Sequence, residues 1–210
     1  WTIYAGVVVG QLNDDKSPGR VTVAGFGVDN FGKRFEVPLA AGASIERIRP
    51  CGPKHICVGF SANGTYSVKS IDLTTGKETW PGDMQATFQP DWYLTGAGMV
   101  LGESRFGTLT KPTLRDPATG AEVRPVGGGK NTDNAIAAAG RWVVTSGMRV
   151  SGSRSAYTVA AVDVTTGKTT STLDLGPTST TIENASIGGD LVVAVTESRK
   201  VVIGRLPAVN

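Results

Sequence analysis

The chain has 210 residues, of which 28 are Gly and 11 Pro, with 40% hydrophobic and only 19% charged side chains; this balance excludes a coiled coil, a long-helix protein and a disordered tail. Its longest apolar stretches, residues 135–139 and 191–195, fall far short of the roughly 18 residues that a membrane helix requires. The net charge of +3 is scattered among acidic residues, which describes a mixed solvated surface and not the basic stripe of a nucleic-acid binder.

Taken in chain order, the segments read as short strands between turns. The chain begins at Trp1 without an initiator Met, as a processed or excised polypeptide does. Residues 7–9 and 20–24 are two strands, and Val28-Asp29-Asn30-Phe31-Gly32-Lys33 is the turn that follows. Residues 44–48 and 56–60 make the next pair. Between them lies Cys51-Gly-Pro-Lys-His-Ile-Cys57, which holds both cysteines and the single histidine, His55. A zinc site needs four ligands that are not there, so Cys51 and Cys57 read as a local disulfide pinning a hairpin, worth at most about 2 kcal/mol. Such a bridge places the protein in an oxidising compartment.

Further strands follow at 65–71, 99–101, 142–145, 156–162, 181–187, 191–195 and 201–206. A phrase recurs among them. It stands as Ile71-Asp72-Leu73-Thr74-Thr75-Gly76-Lys77, as Arg115-Asp116-Pro117-Ala118-Thr119-Gly120-Ala121, and as Val162-Asp163-Val164-Thr165-Thr166-Gly167-Lys168. The segment with Asp29 and Gly32 is a weaker copy, one residue shorter, so the glycines fall at 32, 76, 120 and 167, stepping by 44, 44 and 47. Asp bonds its own downstream amides and Gly tolerates positive φ, so the phrase encodes a hairpin turn. Each copy joins the third to the fourth of four short antiparallel strands. Such a sheet cannot bury both faces alone, whereas sheets stacked around an axis can. The expectation is an all-β fold, a β-propeller of four-stranded antiparallel blades at 1–39, 40–82, 83–126, 127–175 and 176–210. A sandwich explains the strand spacing but not the recurrent phrase.

The second copy continues to Glu78-Thr79-Trp80, and in this form it resembles the tryptophan-docking repeat of quinoprotein-like propellers, the pyrroloquinoline quinone (PQQ) dehydrogenases and their non-enzymatic relatives. The resemblance implies that Trp80 packs between neighbouring blades. Copies three and four keep Asp116, Gly120, Asp163 and Gly167 but lack the Trp, having Arg124 and Thr170 nearby, so irregular docking is expected. The enzymes of that family hold the quinone over the axis with calcium on Glu, Asn and Asp, an Asp base and often a disulfide between adjacent cysteines. Cys51 and Cys57 are not adjacent, and the isolated carboxylates Glu103, Asp133, Glu183 and Asp190, placed near loop ends, show no ligand spacing. No cofactor is expected.

Other chemistries lack their parts. The serines of residues 61–64 and 151–155 have only His55 as a base, inside the disulfide loop. Gly127-Gly128-Gly129-Lys130 lacks the first Gly and the following Ser/Thr of a phosphate loop. Asn63-Gly-Thr65 and Asn184-Ala-Ser186 fit the N-glycosylation pattern. Trp1, Trp80, Trp92 and Trp142 are spaced blade by blade as packing residues, with Trp92 and Tyr93 behind Pro90-Asp91 the candidate recognition surface.

Aligned on the repeat, the first and last blades have three strands each and the middle three have four. That is an arc of about four and a half blades, part of a larger ring or a five-bladed ring with irregular closure. The functional expectation is a non-catalytic binding or scaffold module of an extracytoplasmic protein, secreted, periplasmic or at the cell surface. Its partner is another protein or the rest of the same propeller, and any membrane tether lies outside these residues. The alternative is a quinone-dependent dehydrogenase or a hydrolase at the propeller axis.

Overall fold

The computed structural model describes residues 1–13, 19–80, 84–105, 108–127, 134–151, 154–174 and 182–206. The described elements are all strands. The first sheet is a meander of β1 (Thr2–Tyr4), β2 (Val7–Asn13), β3 (Val21–Gly27) and β4 (Lys33–Pro38). It has four strands where the sequence alignment gives three, because Ala5 and Gly6, both at positive φ, form a tight hairpin that lets residues 2–4 pair with 7–9. The second is β5 (Ser44–Gly52), β6 (His55–Ala62), β7 (Thr65–Asp72) and β8 (Met84–Ala86), so its fourth strand falls beyond residue 82. Asn63-Gly64 turns β6 into β7 with both residues at positive φ.

Next come β9 (Pro90–Thr95), β10 (Gly98–Arg105), β11 (Thr108–Arg115) and β12 (Glu122–Pro125), then β13 (Asn134–Ala139), β14 (Trp142–Ser151), β15 (Arg154–Asp163) and β16 (Lys168–Asp174). These two meanders are linked through one pair, Leu109 with Ala135, where β13 reaches the edge of β11 that β12 otherwise occupies. The last sheet is β17 (Ile182–Gly188), β18 (Leu191–Thr196) and β19 (Val201–Arg205).

The chain divides into two compact units, residues 1–91 with 116–121, and residues 92–115 with 122–210. In the first, the period-two alternation of β2, β4 and β6 turns Val7, Val9, Phe35, Val37, Ile56, Val58 and Phe60 into one core between the first two sheets. In the second, Ile136, Trp142, Val144 and Val159 of the β13–β16 meander pack on Ile182, Val192 and Ala194 of the last sheet. A separate cluster there holds Val100, Leu109, Leu114, Val143 and Val162. Burying each such side chain contributes roughly 1.5–3 kcal/mol.

Candidate binding site

The recurrent turn has one geometry. Asp72 Oδ1 accepts from Thr74 N (2.7 Å) and Thr75 N (2.9 Å), and Gly76 N donates to Asp72 O (2.8 Å). Asp116 Oδ1 accepts from Ala118 N (2.9 Å) and Thr119 N (2.8 Å), and Gly120 N donates to Asp116 O (2.8 Å). Asp163 Oδ1 accepts from Thr165 N (2.9 Å), Gly167 N donates to Asp163 O (2.7 Å), and Arg141 binds the other carboxylate oxygen. Gly76, Gly120 and Gly167 all sit near φ +70°. Backbone amides hold the Asp72 and Asp116 carboxyls below the usual carboxylate range, and at Asp163 the Arg141 guanidinium is the main cause of a larger depression.

The first copy is in a different phase from the one its residues suggest. Phe31 N donates to Gly27 O and Gly27 N to Gly32 O, the bonds that Gly76 and Asp72 make in the second copy. Gly27 therefore stands at the Asp position and Phe31, at φ 53°, at the Gly position. The turn is not shortened. Asp29 bonds Asn30 N and Arg34 instead, and Gly32 N donates to Asn30 Oδ1, as Lys77 N does to Thr75 Oγ1.

This phase exposes a regular docking position four residues after the left-handed residue. Phe35 lies against Gly76, Trp80 against Gly120, and Arg124 against Gly167. The docking expected to be irregular is regular in place and variable in residue type. Trp80 Nε1 also donates to Pro117 O (2.9 Å), which accepts from Ser70 Oγ (3.2 Å) as well. In the fourth copy the same position is Ser171, too small to fill the space.

Cys51 and Cys57 form the expected disulfide across the β5–β6 hairpin, both fully buried, with Cys51 the extra residue at a bulge. Gly52 beside it leaves the room that Pro117 occupies. The His55 Nδ1 nearby is buried without a hydrogen-bond partner.

Of the aromatic pair expected as a recognition surface, Trp92 is buried and Tyr93 is partly buried. Trp92 is 2% exposed, and Tyr93 packs on the core and donates its hydroxyl to Ile136 O (3.3 Å). The preceding Asp91 is buried too, paired with Arg47 (2.8 Å) and Arg49 (3.1 Å). Trp1, by contrast, is exposed and rests over Gly10. Glu103 and Glu183 lie within strands, Asp190 pairs with Arg205 in the β17–β18 turn, and Asp133 and residues 128–130 fall outside the described residues. Among the described residues no three His, Cys, Asp or Glu side chains come together. The sequence reading missed Phe35, Arg124 and the arginines on Asp91; the four-residue offset from the turn was the available signal for the first two.

The cavity of interest lies in the second unit, between β15 and β16 on one side and β18 and β19 on the other. It holds about 230 Å³ and is lined by Val144, Val159, Val192, Val202 and Leu206, with Ser171 at its wall. Beside it, β19 is the edge of the last sheet among the described residues. Leu206 N donates to Asp190 O, towards β18, so by strand alternation the backbone groups of Val201 and Ile203 point away from β18 to the open edge. On the face turned from the core, Val201 is 61% and Ile203 65% exposed, next to the exposed Leu191 and Val193 of β18.

No protein-family model matches the chain, and no curated protein matches it. Solved structures match in fold. The β-propeller domain of Cps50 (Swd1) from Myceliophteria thermophila aligns with a TM-score of 0.54 at 10% identity, over 97% of this chain and 64% of that one. The Dos1 propeller aligns with a TM-score of 0.50 at 13% identity, over 87% of this chain and 49% of that one. The chain folds as a β-propeller. The computationally designed Ika4 protein has a TM-score of 0.53 at 19% identity, over 78% of this chain and 92% of its own. This chain therefore spans about half to two thirds of the length of the two natural propeller chains.

Proposed function

We propose that the chain is a non-catalytic binding or scaffold module of an extracytoplasmic protein, built on a divergent, non-enzymatic form of the quinoprotein-like repeat. The observation that carries this reading is the uncovered apolar face of the last sheet, Leu191, Val193, Val201 and Ile203, beside an apolar cavity. A contiguous apolar patch on a soluble domain is a place where another protein or another part of the same propeller sits. The buried Cys51–Cys57 bridge supports an oxidising, extracytoplasmic location.

The rival reading is a quinone-dependent dehydrogenase or a hydrolase at the propeller axis. Two measurements test the choice. Dye reduction with added PQQ and calcium, across alcohols and sugars, is expected to stay at background, and activity above it overturns the binding reading. Thiol titration of the native protein is expected to find no free cysteine; two free thiols would remove the support for the extracytoplasmic location.

A further inference from the structure

Two inter-sheet cores of this chain, one in each unit, correspond strand for strand. Leu206 N donates to Asp190 O as Leu73 N does to Lys54 O, so β18 and β19 match β6 and β7. The registers agree, with Val192 paired to Gly204 as Ile56 is to Ile71. On the opposing wall, Ser171 stands four residues after the left-handed Gly167, as Phe35 stands four after Phe31. Ser171 pairs with Ala161 as Phe35 pairs with Gly25.

One of these cores is filled and the other is hollow. In the first unit Phe35, Ile56, Val58 and Ile71 are buried in one cluster. Their counterparts in the second unit are Ser171, Val192, Ala194 and Gly204, each of them smaller, and all four line the cavity of about 230 Å³. A Cβ added to Gly204 meets no atom within 4 Å, and its backbone is not left-handed, so neither contact nor conformation requires glycine there. Facing sheets stand about 10 Å apart, and bulk removed from both walls leaves a flat slot between them. An apolar cavity of about 150 Å³ stays dry and takes up benzene, because water finds too few polar partners in it. The larger slot here opens beside the exposed Ser171 and Leu173. The charged residue on its described lining, Arg205, points 75% of its side chain to solvent and is paired with Asp190, which favours a neutral guest.

From this we infer that the cavity between β15–β16 and β18–β19 is a binding site for a small, neutral, flat aromatic molecule of one or two fused rings. The guest occupies the volume that the side chains of Phe35 and Ile71 fill in the first unit, with Ala161 and Ala194 on its two sides and Ser171 at the mouth. The inference rests on the binding-module reading and names the ligand class of the cavity that belongs to it.

The test titrates the 210-residue chain with indole by calorimetry and follows the methyl resonances of Val192 and Val202. Saturable one-site binding with a dissociation constant of about 1 mM or tighter is expected, together with shifts of those resonances. Indole-3-acetate, which carries a carboxylate, should bind at least about tenfold more weakly. Ser171→Phe and Gly204→Ile restore the side chains of Phe35 and Ile71 and fill the space from within. Each is expected to weaken indole binding at least about tenfold and to raise the melting temperature of the free protein. Gly204→Ala, whose added methyl enters open space, serves if either larger variant fails to fold, with a loss of about threefold expected. Val193→Ser, on the face turned from the core, should leave binding unchanged. No saturation by about 5 mM, equal affinity in the folded cavity variants, or a loss confined to Val193→Ser overturns the site. Any of those results with dye reduction at background leaves the binding-module reading in place, whereas dye reduction overturns that reading whatever indole does.

Discussion

Trp80 lies against the bare Cα of Gly120, so close that a Cβ there would stand 2.8 Å from the indole ring. Two demands meet at Gly120: φ is +72° and the space above it is already taken. At Gly167 φ is the same, but the nearest atom is the Arg124 Cδ at 3.3 Å, part of a flexible side chain. Gly120→Ala is therefore expected to cost about 3 kcal/mol and Gly167→Ala about 1–2 kcal/mol. Urea unfolding measures both, and equal losses would show that Trp80 moves aside freely.

The same relationship predicts a stabilising change. Arg124 occupies the docking position over Gly167, and its Nε is buried without a hydrogen-bond partner. An indole there covers more apolar surface, removes that orphaned group and brings its N–H near the carbonyl of Val164, which stands where Pro117 does beneath Trp80. Arg124→Trp should add about 1 kcal/mol and raise the melting temperature by about 2–4 °C. A fall in melting temperature would mean that the gap is too narrow for an indole.

Phe31 holds the left-handed position of the first turn with φ 53° and is 74% exposed. It pays conformational strain without a burying contact in return. Phe31→Gly is expected to stabilise by about 1 kcal/mol, and Gly32→Ala to change stability by less than about 0.5 kcal/mol, because Gly32 is not the left-handed residue. Chemical denaturation of the two variants separates this phase from the one the sequence suggests, in which Gly32 would be the sensitive position.

These residues also explain what was and was not legible in the sequence. Asp72, Asp116 and Asp163 with their glycines declare the repeat, because both residue types are demanded by backbone hydrogen bonding and φ, which act locally. The first copy hides its phase because Gly27 and Phe31 occupy those two positions with the wrong residue types, while Asp29 and Gly32 nearby imitate them. Docking hides for a different reason: covering a glycine needs bulk, which Phe35, Trp80 and the stem of Arg124 all supply, so only the spacing of four is constant. The burial of Trp92 depends on which face of β9 meets the core, and the Pro90-Asp91 pair before it imitates an exposed turn although Arg47 and Arg49 hold Asp91. The cavity at Ser171 is a missing side chain, legible only once the docking series is known.

Acid should weaken the fold through the turn aspartates. The Asp163 carboxyl is held far below its usual value, first by Arg141 and then by Thr165. A carboxylate with a folded pKa below its unfolded value near 3.9 contributes stability that is complete above that value and is lost as the pH falls below about 4 towards the folded pKa. Asp163→Asn removes the charge that Arg141 binds, so it should cost about 1–2 kcal/mol at pH 7. The difference from the parent protein should narrow when both are unfolded in urea at pH 3. Asp116→Asn, with no arginine partner and a smaller depression from the amides of Thr119 and Ala118, should show the same sign and a smaller change. A gap between parent and Asp163→Asn that stays constant from pH 7 to pH 3 would remove the Arg141 pair as the source of the acid sensitivity.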